Sequence, residues 1–334
     1  MTPRPATDSP TDLVILAPVF NDWPAVRLLL PRLDTELAKH RLRARVVLVN
    51  DGSFVPPPAV LVDEELSAIS QLRVLSLRRN LGHQRALAVG LAFVHAQMPC
   101  SAVVVMDADG EDDPADVPRL VAELRGGGDG AIVFAQRIRR SEGLVFALLY
   151  RLYRAMHRLL TGISVQVGNF SVVPFALLDR LVVVSDLWNH YAAAVFQSRL
   201  PYRMVPTQRG RRLSGESSMN LVSLVGHGLS AIAVFADRVG VRILIAAITT
   251  LLATILGLGI VVGRSLLTHA APASWILVAA VVALVVVVQT IATASLFVLQ
   301  VLFARGGASF IPARDYQFFV NSDDLVAARA ERAV

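Results

Sequence analysis

Two long stretches in the C-terminal third of the 334-residue chain carry no charged side chain. They are Ile243–Val262 and Trp275–Phe303, and in the second only Gln289 and Gln300 are strongly polar. At about 1.5 Å per residue, either stretch as a helix reaches or exceeds the ~30 Å of a hydrocarbon core. The pattern predicts two transmembrane helices joined by a short turn over Gly263–Ser274. A very apolar helical hairpin buried in a soluble protein is the alternative.

Arginines flank the two stretches asymmetrically. Arg238 and Arg242 precede the first, and Arg305 and Arg314 follow the second, whereas the turn holds only Arg264. Because positive charge concentrates on the cytoplasmic side of membrane helices, both termini are expected in the cytoplasm. The chain is therefore predicted to be an integral protein of the inner (cytoplasmic) membrane with two spans.

Composition narrows the possible partners. The net charge is +6, and almost all positive charge is arginine because Lys39 is the sole lysine. With arginines beside membrane segments and no interleaved aromatic residues, we expect membrane lipids and a phosphorylated lipid as partners, and no nucleic acid. The lone Cys100 excludes an internal disulfide and fits a reducing compartment. Residues 1–11 are Pro-rich and polar, without the apolar core of a signal peptide, and are predicted to be disordered.

Short apolar runs alternate with helical patterns in the N-terminal half. The helical patterns include Trp23–His40 and Gln84–Gln97. Such alternation predicts an α/β fold with a mostly parallel sheet covered on both faces, whose polar strand ends line one crevice. The predicted strands are Leu13–Ala17, Val46–Val49, Val74–Leu77, Val103–Met106 and Ala131–Phe134.

An acidic stretch follows the fourth apolar run. Five carboxylates occupy the seven positions from Asp107 to Asp113. Hard oxygen ligands at this density suit Mg²⁺ or Mn²⁺, and the end of a parallel strand is where open α/β sheets bind ligands. The alternative is a solvated acidic loop.

Two segments have the profile of helices lying at a membrane interface. Residues 141–160 place apolar side chains at helical spacing with arginines between them, and Leu221–Phe235 runs into the first membrane stretch. For the first segment, a core helix with an arginine-rich wet face is the alternative.

Five segments of the chain combine polar, charged and small residues in short motifs: Ala17–Asp22, Asn50–Ser53, Asn80–Leu87, Asp107–Asp112 and Arg212–Ser217. In this order, they resemble motifs of family 2 glycosyltransferases, in particular the polyprenyl-phosphate branch. The resemblance implies a GT-A (Rossmann-like) domain. It also implies an inverting, metal-dependent transfer of one sugar from a UDP- or GDP-linked donor to a polyprenyl phosphate.

The resemblance implies roles on the donor side. Asp107 would contact the ribose or a metal-bound water, and Asp109 and Glu111 would ligate the cation, with Asp107 as their partner. Asp112 would orient the acceptor, or act as a base if the acceptor were an alcohol. The base and ribose of the nucleotide-sugar would be held by Pro18, Asn21, Asp22 and Asp51. Without the resemblance, Asp51 could equally be a turn or helix-capping residue.

On the acceptor side, the resemblance implies an anion site for the lipid phosphate. Its residues would be Arg137, Arg151, Arg212 and Ser217. For each arginine the alternative is a side chain that reaches lipid headgroups.

The chain departs from the family pattern at several positions. Asn50 stands where many relatives have Asp, Asp22 where they have Glu, and Glu111 where Gln is frequent. Gly168–Ser171 replaces an acidic segment, and Ser218 replaces a Lys. Nucleotide preference, acceptor orientation and sugar choice are the properties these departures put in doubt.

The predicted organisation has a catalytic domain, a membrane hairpin and flanking segments. Alternatives to the leading function are a processive polysaccharide synthase, which the absence of an Arg-Trp pair and the two spans disfavour, and a non-catalytic nucleotide-sugar-binding membrane scaffold. Gly257 and Gly259 could pack against a neighbour in a homo-oligomer. The segments are residues 1–11, 12–218 (catalytic), 219–238 (juxtamembrane amphipathic helix), 239–304 (hairpin) and 305–334 (cytoplasmic tail).

Overall fold

The computed structural model describes residues 12–63, 65–128, 130–137, 155–162, 167–215, 221–268, 273–306 and 310–328. The chain forms two compact units. The first, termed the sheet unit, comprises Met1–Tyr150, Val165–Val234 and Ser309–Val334. The second, termed the hairpin unit, comprises Arg151–Ser164 and Phe235–Ala308.

The sheet unit is built on one eight-stranded sheet of order β7-β5-β6-β4-β1-β2-β3-β8. Six strands run parallel, whereas β6 and β8 are antiparallel to their neighbours. The strands are β1 Asp12–Val19, β2 Arg43–Asn50, β3 Ile69–Leu77, β4 Ala102–Val105, β5 Ile132–Arg137, β6 Ser171–Pro174, β7 Tyr202–Thr207 and β8 Val320–Ala328.

Both units contain helices. The described part of α4 is a helical segment over residues 155–161. The other helices are α1 Trp23–Lys39, α2 His83–Gln97, α3 Val117–Gly126, α5 Phe175–Leu181, α6 Tyr191–Gln197, α7 Leu221–Ala233, α8 Ala236–Thr268, α9 Ala273–Gly306 and α10 Pro312–Asp315.

Burial explains why these residues form these elements. All four residues of β4 are buried, as expected for a parallel strand covered on both faces. In α1 the buried positions Val26, Leu29, Leu30, Leu33 and Leu37 recur at helical spacing and join the core beneath the sheet. The prediction of an α/β fold with a mostly parallel sheet is confirmed.

The strand order creates one switch point relevant to ligands. β1 pairs with β2 on one side and with β4 on the other, in parallel on both sides. In open α/β sheets, ligands bind outside the carboxyl ends of strands where the order reverses in this way. Asp22 follows β1 and Asp107 follows β4, so the switch point brings both predicted site segments to one edge.

Three strands are not predicted by the sequence pattern: β6, β7 and β8. The segment described above as a cytoplasmic tail contributes β8, which pairs antiparallel with β3 at the edge of the sheet. Arg73 and Asp323 form an ion pair of 2.6 Å across this strand pair. Residues beyond the membrane stretches are therefore part of the sheet unit.

The hairpin unit contains two helices long and apolar enough to span a membrane, Ala236–Leu267 and Trp275–Val301, with mean hydropathies of 2.5 and 2.7. The helices are longer than predicted, because α8 continues to Thr268 and makes the first half of the predicted turn helical. Gly240 of α8 packs closely on Phe297 of α9. Apart from their chain neighbours and the backbone of the same helix turns, no described atom lies within 4 Å of a Cβ position at Gly257 or Gly259.

Candidate active site

The ends of β1 and β2 are tied together by Asn21. Its backbone adopts a left-handed conformation with φ of 54°. Its side-chain Oδ1 accepts hydrogen bonds from the N–H groups of Phe54 (2.8 Å) and Val55 (3.2 Å), and its own N–H donates to Ser53 Oγ at 2.9 Å. Asn21 therefore shapes the loop that follows β2, while Pro18 is a buried residue of β1 in register with Val49.

Asp51 holds the start of α2 against the end of β2. The carboxylate is buried and accepts hydrogen bonds from the N–H groups of Leu81 (2.7 Å) and Gly82 (2.9 Å). Burial raises the pKa of Asp51, although the two N–H groups oppose the rise. Next to it, Gly52 has φ of 64°, and a Cβ there would lie 2.4 Å from the backbone nitrogen of Asn80. Only glycine fits this approach.

The carboxylates of the acidic stretch accept hydrogen bonds from different backbone groups. Asp112 is 2% exposed and accepts a hydrogen bond from the N–H of Asp107 at 2.8 Å, which fixes the turn after β4. Asp109 accepts one from the N–H of Glu111 at 2.9 Å. Asp113 caps the short 3₁₀ helix that follows, accepting from the N–H of Ala115 at 3.0 Å.

A loop around residues 209–213 docks on the acidic stretch. The N–H of Gly210 donates to the carbonyl of Glu111, and the N–H of Leu213 donates to the carbonyl of Asp109, both at 2.9 Å. The approach is close enough that a Cβ on Gly210 would lie 2.4 Å from the carbonyl oxygen of Gly110. The two loops therefore form one continuous surface.

Arginines of this loop neutralise the acidic side chains. Arg212 Nη1 donates to Asp109 Oδ2 at 2.9 Å, and its Nη2 bonds to Asp22, so one guanidinium bridges the ends of β4 and β1. Arg209 Nε donates to Glu111 Oε2 at 2.9 Å. Burial raises the pKa of Asp22; Arg212 opposes this rise and the nearby Asp109 adds to it.

The predicted metal ligands have the right chemistry for a divalent cation, but two of them are paired with arginines. Carboxylate oxygens suit Mg²⁺ or Mn²⁺. Among the described residues, however, no three His, Cys, Asp or Glu side chains are placed to hold an ion. Asp109 and Glu111 are each paired with an arginine, so a cation bound there with Asp107 would require Arg212 and Arg209 to move away.

His83, which lies beside Asp107, and Asn169, which contacts His83, have no role assigned from the sequence. The Nε2 atom of His83, the first residue of α2, lies 3.3 Å from Asp107 Oδ1 and 2.8 Å from Asn169 Nδ2. His83 is 41% exposed, yet enough protein surrounds the ring that desolvation lowers its pKa, against the opposing charges of Asp112, Asp51 and Asp109. His83 lies in a motif that resembles the family, and Asn169 in a segment that departs from it, but neither pattern indicates their contact.

A cavity of ≈ 480 Å³ opens beside the docked loops. Its lining includes Arg32, Gly110, Gly210 and Arg211, but neither Asp51 nor Asp107. We therefore do not assign the donor nucleotide to this cavity.

Three predicted acceptor residues cannot be placed. Arg137 ends β5, but its side chain lies outside the described part of the structure, as do Arg151 and Ser217 entirely. Arg212 is the predicted acceptor residue whose side chain is described, and it bridges Asp22 and Asp109.

Comparison with known proteins identifies the family. The model of Glycosyl transferase family 2 matches residues 14–182. The chain is 25% identical over 217 residues to an undecaprenyl-phosphate 4-deoxy-4-formamido-L-arabinose transferase of Erwinia tasmaniensis, covering 63% of this chain and 64% of that protein. It is 29% identical over 116 residues to the dodecaprenyl-phosphate galacturonate synthase of Rhizobium johnstonii, covering 34% of this chain and 32% of that protein.

A solved structure aligns with part of the chain. Glucosyl-3-phosphoglycerate synthase from Mycobacterium tuberculosis, crystallised with Mn²⁺, UDP-glucose and phosphoglyceric acid, aligns with a TM-score of 0.48 and 20% identity. The alignment covers 69% of this chain and 80% of that chain. Since the family model spans half of the sequence, the chain belongs to glycosyl transferase family 2.

Proposed function

We propose that this protein transfers a single sugar from a nucleotide-sugar, UDP- or GDP-linked, to a polyprenyl phosphate at the cytoplasmic face of a membrane. The observation that carries this proposal is the presence, in one chain, of a family 2 domain and two helices of membrane-spanning length and hydropathy. A lipid acceptor would explain this combination, because the membrane helices would hold the transferase domain at the surface where the lipid lies. The names of the two relatives above support a polyprenyl phosphate as that lipid.

The proposed reaction is an in-line displacement with inversion. A phosphate oxygen of the lipid attacks the anomeric carbon, a new carbon–oxygen bond forms, and the bond to the nucleoside diphosphate breaks. The diphosphate leaves with the electron pair. Because a phosphate monoester is already ionised near neutral pH, the reaction needs positioning and charge neutralisation more than a base.

The arginines at the switch point fit this demand. Negative charge grows on the leaving diphosphate, and Arg209 and Arg212 are held beside the acidic stretch where we expect that group to bind. A planar guanidinium binds phosphate oxygens in pairs, which suits a leaving group of this kind. We assign them the role of stabilising the leaving group, and Asp112 the role of holding the turn after β4.

The remaining predicted assignments belong to this proposal. Mg²⁺ or Mn²⁺ would be bound by Asp107, Asp109 and Glu111 once the arginine contacts open. Arg137, Arg151 and Ser217 would bind the lipid phosphate. Arg212, which the sequence predicted to bind that phosphate with them, is assigned to the leaving group because it contacts Asp109. Both termini would be cytoplasmic, with residues 141–160 and 219–238 lying at the membrane surface.

The experiment is a transfer assay with the full-length protein in detergent. Undecaprenyl phosphate, Mg²⁺ or Mn²⁺ and a panel of UDP- and GDP-sugars are supplied, and mass spectrometry detects a lipid-linked sugar. Asp109→Asn is expected to lower the rate by about 100-fold, the usual effect of removing one electrostatic group from an active site. Asp113→Asn is the matched control in the same loop, and should stay within about threefold because Asn also caps helices well.

Two results would refute the proposal: no turnover with any donor, or an Asp109→Asn variant as active as the control. A second candidate function is a non-catalytic scaffold that binds nucleotide-sugars. The pairing of Asp109 and Glu111 with arginines favours it, since such pairing holds the acidic loop together without any ligand. Calorimetric binding of a nucleotide-sugar without turnover would identify the scaffold.

A further inference from the structure

A chain of hydrogen bonds determines which nitrogen of His83 carries its hydrogen. The chain begins at the backbone N–H of Tyr191, which can only donate, and which lies 2.7 Å from Gln84 Oε1. This contact orients the amide of Gln84. Its Nε2 therefore donates to Asn169 Oδ1 at 3.2 Å.

The orientation of Asn169 follows in turn. With Oδ1 facing Gln84, the amide nitrogen Nδ2 faces His83 Nε2 at 2.8 Å. An amide nitrogen has no acceptor capacity, so Nε2 must accept with its lone pair. A hydrogen on Nε2 would instead place two donors 2.8 Å apart.

Asp107 does not overturn this assignment. Its Oδ1 lies 3.3 Å from His83 Nε2, and the neutral ring places two acceptors at that distance. This conflict is milder than two donors at 2.8 Å. The imidazole is thus neutral, its hydrogen lies on Nδ1, and the contact with Asp107 is an approach without an ion pair.

The Nδ1–H group is turned away from these partners. Within the described part of the chain, no residue forms a hydrogen bond with Nδ1, and 41% of the side chain is exposed. His83 follows directly on Leu81 and Gly82, which bind Asp51, and its ring lies beside Asp107. The ring is therefore situated between the predicted nucleoside-binding side of the site and the acidic stretch.

We propose that His83 is a substrate-binding residue that presents an uncharged Nδ1–H donor to an oxygen of the diphosphate–sugar portion of the donor substrate. Asn169 is the positioning residue that selects this tautomer, acting through His83. The binding role rests on the function proposed above. An acidic side chain at position 169 would accept from Nε2 instead, so the departure of Gly168–Ser171 from the acidic pattern of the family sets the polarity of the ring.

The tautomer is tested by ¹⁵N NMR of the full-length protein labelled at its 7 histidines. The His83→Gln spectrum identifies the His83 signals. We expect a neutral ring with hydrogen on Nδ1, and in the isosteric Asn169→Asp variant we expect hydrogen on Nε2. A hydrogen on Nε2 in the unmodified protein overturns the proposal, and an Asn169→Asp spectrum like that of the unmodified protein overturns the role of Asn169.

The binding role is tested with two variants that each copy one ring nitrogen. The amide nitrogen of His83→Asn overlaps Nδ1, whereas that of His83→Gln overlaps Nε2. Calorimetry with UDP, GDP, UDP-glucose and GDP-mannose is expected to show that His83→Asn binds more tightly than His83→Gln, because only His83→Asn keeps a donor at the Nδ1 position. His83→Gln should bind about tenfold more weakly than the unmodified protein, the effect of one lost hydrogen bond.

The outcomes separate this inference from the proposed function. If the unmodified protein binds a nucleotide but the two variants bind it equally well, the role of His83 is refuted and the function stands. If the unmodified protein binds none of the four nucleotides, the function and the binding role of His83 both fall. If His83→Gln weakens the binding of only UDP-glucose or GDP-mannose, the oxygen that accepts from Nδ1–H belongs to the sugar. If it also weakens the binding of UDP or GDP, that oxygen belongs to the diphosphate.

Discussion

Replacement of Asp34 by alanine is expected to destabilise the sheet unit by about 2–6 kcal/mol. Asp34 lies in α1, is 8% exposed, and accepts four hydrogen bonds from the segment that begins β3. Its Oδ1 accepts from the N–H groups of Ala68 and Ile69, both at 2.8 Å. Its Oδ2 accepts from the N–H (2.9 Å) and hydroxyl (2.8 Å) of Ser67.

The magnitude follows from which donors water can reach. Ser67 is exposed, so solvent can replace Asp34 there, whereas Ala68 and Ile69 are 5% and 3% exposed. Two buried N–H groups would lose their acceptor, at about 1–3 kcal/mol each. Asp34→Asn is expected to cost only about 1 kcal/mol, because its amide oxygen can still accept from both groups and Ser67 Oγ can turn to accept.

The effect of Asp34 also depends on pH. Burial tends to raise the pKa of Asp34, but the N–H groups of Ser67, Ile69 and Ala68 and the Ser67 hydroxyl outweigh it, so the pKa is lowered. A lowered carboxyl pKa contributes stability that is present above the unfolded value of about 3.9 and is lost as the pH falls through the folded value. The difference between wild type and Asp34→Asn should therefore shrink below about pH 4.

The assay is urea unfolding of the full-length protein in detergent, followed by tryptophan fluorescence. Trp23 of α1 is buried and donates to the carbonyl of Val55 at 2.9 Å, so its emission reports on this region. Glu36→Gln is the matched control on the same helix: its ion pair with the exposed Lys39 should be worth under about 0.5 kcal/mol. An Asp34→Ala variant no less stable than this control would refute the reasoning.

Three further predictions concern the site. Gly52→Ala should destabilise the sheet unit by at least about 1 kcal/mol more than Gly128→Ala in thermal unfolding. Both positions have positive φ, but only at Gly52 does a Cβ meet backbone, so an equal loss would contradict the close approach. Because the folded-state pKa of Asp51 is raised, its favourable contribution is present below about pH 3.9 and lost as the pH rises through the folded value. Wild type should therefore lose stability relative to Asp51→Asn as the pH rises above about 3.9 in urea titrations. A wild type that gains stability relative to Asp51→Asn over this rise would exclude the assignment. EDTA should abolish sugar transfer and added Mg²⁺ or Mn²⁺ restore it, whereas transfer that survives chelation would remove the metal from the proposal.

Local patterns predict the buried half of the sheet well. The apolar run Val103–Met106 corresponds to β4, and Gln84–Gln97 corresponds to α2 within one residue. Such elements contain an uninterrupted apolar run or an apolar stripe at helical spacing, so the residues of the segment are enough to predict its secondary structure. Two of the three missed strands lack such a pattern: β8 contains Asp323 and Asp324, and β7 is mostly exposed or half-buried and contains Pro206. The third, β6, is fully buried but has only four residues, too few for a clear pattern. β7 and β8 form the two edges of the sheet by pairing with the distant strands β5 and β3, whereas β6 lies between β4 and β5.

Some features of the candidate site are likewise predicted from the sequence, and others are not. The acidic stretch and the end of β1 are predicted to meet, because parallel strands end at one edge. The bridge by Arg212 is not predicted as such: its contact with Asp109 joins residues 103 positions apart, and the sequence assigned that arginine to the acceptor. His83 and Asn169 are 86 positions apart in the sequence, and no sequence pattern predicts their contact.

The sequence alone determined that this chain has two membrane-length helices, an α/β sheet and a cluster of carboxylates at the end of a buried strand. Each of these is a property of one continuous segment, where hydropathy and spacing suffice. Tertiary structure alone decided how the carboxylates are neutralised, which strand closes the sheet edge and which nitrogen of His83 carries the hydrogen. These depend on donors and acceptors brought within about 3 Å by packing, and hydrogen bonds of that length leave no trace in the order of residues.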